Sequence, residues 1–149
     1  MEKKEIALAS DHAGLELKEA LKKHLENEGY VCVDYGTDSL ASVDYPVYAH
    51  RLCAALQEGA QACGILVCGT GVGMSMAANK HAGIRAALCS DTFSARMTRM
   101  HNDANVLCLG ARVVGSGLAF DIADAFLETD FEGGRHQKRV DMLNALDEK

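Results

Sequence analysis

The segment that most limits how this chain can fold is 64–80. An apolar run, Gly64-Ile65-Leu66-Val67, leads into Cys68-Gly69-Thr70-Gly71-Val72-Gly73, and Met74-Ser75-Met76-Ala77-Ala78-Asn79-Lys80 leads out. The run is short and free of charge, so it reads as a strand buried on both faces, and the segment after the glycines reads as a helix. Three alternating glycines between them permit a sharp turn with several N–H groups aimed at one spot. Such a concavity at a helix start suits a negative charge. The same helix end is expected to favour the thiolate of Cys68. A basic or nucleophilic sulfur facing an anion-stabilising loop marks this stretch as the candidate active centre.

The remaining elements alternate around it. Glu5-Ile6-Ala7-Leu8-Ala9 reads as a strand expected to lie centrally, and Leu15, Leu21 and Leu25 as the apolar face of a helix with its charges elsewhere. Gly29 should stop that helix before a strand at Tyr30–Asp34. A polar loop, 36–44, then precedes a helix that starts near Pro46, the only proline, and ends at Gly59. Further on, Ile84–Cys89 and Asn105–Leu109 read as strands. Ser90 or Asp91 should cap a helix through Met100, and Val114–Leu127 and His136–Leu146 read as two more helices, the first interrupted near its start by Gly115 and Gly117. This alternation predicts a single three-layer α/β/α domain over residues 1–149, with a five-stranded, mostly parallel, Rossmann-like sheet.

Sites in such sheets lie outside the carboxyl ends of the strands. Three predicted ends carry polar residues: Asp11-His12, the Cys68 loop, and Arg112. Each has a plain alternative. Asp11 can simply cap a helix, and the glycine loop lacks both the Gly-Lys-Ser/Thr ending of a P-loop and the placement of a dinucleotide fingerprint. His101, in a last helical turn, suits the dipole there. Arg135 and Arg139, four apart, share a helix face that either grips one dianion or is merely solvated. His24, His50 and His81 read as surface or packing residues.

Composition narrows the function class. A net charge of −6 argues against nucleic acid, and the basic cluster 135–139 is too small for a duplex footprint. The start, Met1-Glu2-Lys3-Lys4-Glu5, has no signal-peptide core and no spanning segment follows, so a cytoplasmic protein without a membrane partner is expected. The six cysteines include no Cys-x-x-Cys pair and no zinc-type spacing with histidine. Five read as core residues, and Cys68 alone has a loop environment. No second cysteine lies close in sequence to resolve it, which disfavours a redox sensor.

Taken jointly, Ser10-Asp11-His12-Ala13-Gly14, Asp44-Tyr45-Pro46, Cys68–Gly73, Ala77-Ala78-Asn79-Lys80, Gly83-Ile84-Arg85-Ala86, His101–Val106 and Gly133-Gly134-Arg135-His136 closely resemble the type B ribose-5-phosphate isomerases. That family also holds allose-6-phosphate isomerases and subunits of galactose-6-phosphate isomerase. The resemblance runs in order over nearly the whole chain. It implies a metal-free and cofactor-free aldose–ketose isomerase of a small-molecule sugar phosphate, with ribose 5-phosphate and ribulose 5-phosphate foremost. By the same resemblance Cys68 is the base that moves a proton between carbons 2 and 1. Some relatives place a glutamate at the Ser75 position instead, with no cysteine base, and this chain resembles the cysteine subgroup.

Gly69, Thr70, Gly71, Val72 and Gly73 would hold the enediolate oxygens, with Thr70 also catalytic and Ser75 nearby. His101 would open the sugar ring, with Asp11 beside the ring oxygens. Tyr45 and Asn102 would bind substrate, and His12, Arg112, Arg135 and Arg139 would receive the phosphate. The family forms homodimers or homotetramers whose sites take residues from both subunits. A different sugar phosphate (allose 6-phosphate, galactose 6-phosphate or a tetrose phosphate) remains an alternative, as does a phospho-sugar binding module without turnover, for which Cys68 would be dispensable.

Overall fold

The computed structural model describes residues 4–148; the reading of Met1-Glu2-Lys3 as free of a targeting segment lies outside them. Along the chain run β1 (Glu5–Ser10), α1 (Leu15–Asn27), β2 (Val31–Asp34), α2 (Tyr45–Gln57), β3 (Cys63–Cys68) and α3 (Val72–Ala78). Then follow β4 (Ala86–Leu88), α4 (Thr92–Asn102), β5 (Val106–Gly110), α5 (Ser116–Glu128), α6 (Arg135–Ala145) and a final 3-10 turn, Leu146–Glu148. The five strands form one parallel sheet in the order β2-β1-β3-β5-β4. This is the predicted α/β/α domain, with one correction: β3, not β1, holds the centre. Its six residues are all buried, as a strand covered on both faces requires.

Alternation along the strands sorts two cores. Ile6, Leu8, Ile65, Val67, Leu107 and Leu109 pack against α1, α4 and α5. Ala7, Ala9, Leu66, Cys68, Val106 and Cys108 pack against α2 and α3. The helix stops fall where glycine was expected. Gly29 (φ +96°) ends α1, with Gly29 N–H donating to Glu26 O and Tyr30 N–H to Leu25 O, and Gly59 ends α2 in the same pattern. Asp91 caps α4 by accepting the Ser94 N–H at 2.6 Å.

Several boundaries differ from the sequence reading. Val114 lies before α5, its N–H donating to Gly110 O, and Gly115 is the helix N-cap rather than an interruption. Helix α3 begins at Val72 and stops at Ala78, short of Lys80. Strand β4 is shorter than 84–89, because Ile84 closes a turn onto His81 and the Arg85 N–H goes to the Asn105 side chain. The charges of α1 do not all lie off its buried face: Lys18 is 1% exposed. Among the described residues no helix is long and apolar enough to cross a membrane.

Candidate active site

Because β1, β3 and β5 are neighbours, their carboxyl ends gather Asp11, His12, Cys68 and Arg112 at one edge. The tie is direct: the Asp11 N–H donates to Val67 O at 3.3 Å and the Ala111 N–H to Cys68 O at 2.8 Å. Asp11 is buried, and its Oδ1 accepts the Gly14 N–H at 3.0 Å. Gly14 itself is the N-cap of α1, so Asp11 closes the turn before the helix rather than capping it. His12 Nδ1 accepts the Val43 N–H at 3.1 Å, which leaves the proton of a neutral ring on Nε2, free to donate outward.

Cys68 is the last residue of β3, not a loop residue, and is only 5% exposed, among Ala7, Ala9, Leu66 and Met74. Its Sγ accepts the Gly71 N–H at 3.1 Å. Gly71 (φ +79°) is the N-cap of α3, and a Cβ there would stand 2.5 Å from Leu88 Cδ1. Glycine alone makes this turn without strain, and the turn is what aims the N–H at sulfur. Gly73 lets the Tyr45 ring lie on the backbone, where a Cβ would meet ring carbons at 2.7 Å. The Arg112 guanidinium covers Gly69, and the Arg112 N–H donates to Gly69 O at 2.9 Å. Thr70 Oγ1 accepts the Val72 N–H, and the Ser75 hydroxyl donates to Val72 O at 2.7 Å.

The other five cysteines read as core thiols, and burial pushes each of them up: Cys32 and Cys89 to about 11, Cys53 to about 12, with Cys63 and Cys108 also raised. Cys32 is half-buried, and the rest of these are buried.

His101, Asn102, Arg135 and Arg139 do not reach the glycine turn of their own chain. His101 and Asn102 end α4, just before β5 begins, whereas Cys68 pairs with Gly110 at the far end of β5. At about 3.3 Å per residue the five-residue strand separates the two groups by about 15 Å. A cavity of about 530 Å³ also lies on this second side, lined by Asn79, Arg85, Asn102 and Leu143 among others. There the His101 ring stacks on His136 at 4.3 Å, and His101 Nε2 stands 3.5 Å from Glu132. Burial first, then neighbouring His101 and Arg135, push His136 below its ordinary value. Arg135 and Arg139 lie one turn apart on α6, both exposed.

Two residues that position these groups were not singled out from the sequence. Arg85 fixes the end of α4 against α6, with Nε donating to Asn102 O and Asp103 O, and Nη1 to Asn144 Oδ1. Lys18 Nζ donates to both Asp34 oxygens at 2.7 Å and to Thr37 O at 2.8 Å, holding the loop that delivers Val43 to His12. Neither has a local signal for this role, since apart from Gly83 beside Arg85 and the exposed Glu19 beside Lys18 every partner is sixteen or more residues away.

The chain matches the Ribose/Galactose Isomerase family over residues 6–143. It is 49% identical over 146 residues to ribose-5-phosphate isomerase B of Escherichia coli (strain K12), with 98% of each chain covered. The solved ribose-5-phosphate isomerase B of Clostridium thermocellum is 46% identical, with a TM-score of 0.95 and 97% of each chain covered. A ribose 5-phosphate isomerase of Thermotoga maritima is 49% identical, with a TM-score of 0.93 over 95% of this chain and 98% of that one. Likeness in sequence and in shape thus runs through the sheet, the cysteine–glycine turn and the helix that carries the arginines, and the chain belongs to the ribose/galactose isomerase family.

Proposed function

We propose that the chain interconverts D-ribose 5-phosphate and D-ribulose 5-phosphate in the cytoplasm, by proton transfer through an enediolate. The observation that carries this reading is a sulfur at the centre of the sheet, held by the Gly71 N–H and set among polar residues from both flanking strand ends. His101 opens the furanose ring as acid or base. Cys68 then takes the proton from carbon 2 of the open aldose and returns it to carbon 1. The hydroxyl of Thr70 moves the matching proton between the two oxygens, so atoms balance without a redox partner. Negative charge on those oxygens is stabilised by backbone N–H groups of the 69–73 turn other than those of Gly71 and Val72, which Cys68 Sγ and Thr70 Oγ1 already hold.

The phosphate goes to His12, Arg112, Arg135 and Arg139, because a dianion beside a thiolate is repelled, whereas arginine forks pair with it. Asp11, Tyr45, Ser75 and Asn102 complete the sugar pocket. Gripping the phosphate away from the reacting carbons orients them over the sulfur.

A second copy of the chain supplies His101, Asn102, Arg135 and Arg139, in a homodimer or homotetramer, because one chain holds His101 and Asn102 about 15 Å from Cys68 and Arg135 adjoins in sequence the His136 that stacks on His101. The test combines two inactive variants. Cys68→Ala and His101→Ala should each lose isomerisation while staying folded. Mixed after dissociation and reassociation, they should regain up to about a quarter of wild-type activity, since half the random dimers carry one intact site. Near-normal turnover by Cys68→Ala refutes the assignment of the base, and a mixture that stays dead refutes the shared site.

A further inference from the structure

We propose that His24, Glu28 and Asp124 form a site for one divalent transition ion, zinc foremost, that ties α1 to α5. The three lie away from the glycine turn, on the outer helix layer near the amino ends of the strands. His24 and Glu28 are four residues apart on α1, so they share a face, and Asp124 meets them from α5. His24 Nε2 stands 3.0 Å from Asp124 Oδ1 and 3.2 Å from Glu28 Oε1. All three ligand atoms lie within 4.8 Å of one another. A tetrahedral zinc with bonds near 2.0 Å has ligand-to-ligand edges of about 3.3 Å, so the two spacings from His24 are already close to coordination edges.

The hydrogen bonding leaves a remainder that a metal would resolve. A single Nε2–H satisfies one carboxylate, and here it lies against Asp124. Glu28 Oε1 is shielded from solvent yet has no hydrogen-bond partner, although it is within ion-pair range of the same nitrogen. An ion in place of that proton would bind all three groups at once. The Phe120 ring stacks on His24 at 4.4 Å and 3° and fixes the imidazole plane, so little ordering remains to be done on binding. Charge points the same way, because Glu128 lies near Glu28 as a third carboxylate.

The half-exposed setting leaves a coordination position open to water. One imidazole with two carboxylates suits zinc or cobalt better than magnesium or calcium, which take oxygen ligands. His101, Glu132 and His136 are also close together. There the two rings are stacked within 15° of parallel, which does not direct both lone pairs to one point, and Arg135 and Arg139 repel a cation.

The test is titration of metal-stripped full-length protein with cobalt(II), followed by its visible absorption, and with zinc, followed by Tm. We expect one equivalent with a four-coordinate visible band and no near-ultraviolet thiolate band, and a raised Tm with zinc. Glu28→Gln and Asp124→Asn, which preserve shape, should each weaken that binding by at least about tenfold and abolish the Tm rise. No saturable band in wild type, a thiolate band on the tight equivalent, or unchanged affinity in the variants overturns the proposal. Should one variant fail to fold, the other decides.

Discussion

Lys18→Met removes a buried cation from the junction of α1, β2 and the loop that follows. Methionine is similarly long and unbranched, so the change probes charge more than volume. Breaking a fully buried ion pair by removing one partner costs about 3–5 kcal/mol. Asp34 is 21% exposed, keeps the Gly36 N–H at 2.8 Å and has Lys22 Nζ at 3.9 Å, so its remaining charge is partly covered. Thr37 O also loses its donor. We therefore expect a loss of about 2–4 kcal/mol, or a fall in Tm of about 5–15 °C for a chain of this length.

Equilibrium unfolding in urea at matched protein concentration would read this as a lowered midpoint with an unchanged slope. The loop should also loosen, so that Val43 no longer holds His12 Nδ1 and KM for the sugar phosphate rises more than kcat falls. A variant within about 1 kcal/mol of wild type would mean that this ion pair does not hold the loop, and the reasoning would fail.

Gly71→Ala forces a side chain into a positive-φ position with a Cβ 2.9 Å from the Leu109 carbonyl carbon, and should cost about 2–4 kcal/mol while lowering turnover as the N–H swings off Cys68; full retention of stability and activity would contradict the turn's role. The Ser94 N–H and hydroxyl hold the Asp91 carboxyl below its ordinary range. A depressed folded value means the cap's contribution is complete above the unfolded value near 4 and fades as pH falls through the folded one. Thermal melts of Asp91→Ala should therefore show a deficit near neutrality that shrinks in acid, and a deficit constant with pH would exclude the carboxylate cap.

Much of this protein was legible from neighbouring residues. The buried run and its three glycines announced β3 and its turn, because strand burial and positive φ are decided within a few positions. Gly29, Gly59 and Asp91 ended or began helices for the same local reason. The four-residue spacing of Arg135 and Arg139 placed them one turn apart on α6. Which strand stands at the centre was decided by the crossovers. So was the meeting of Asp11, Cys68 and Arg112, which are scattered in sequence and joined only by β1, β3 and β5 lying side by side. Burial of Lys18 depends on Asp34 and Thr37, and the setting of His24 on Asp124, a hundred positions away. The length of β5 keeps His101 from its own Cys68. Sequence determines torsion angles and hydrophobic period, which act over one or two turns. Only packing of the whole sheet sets which distant charges must share a space and which cannot.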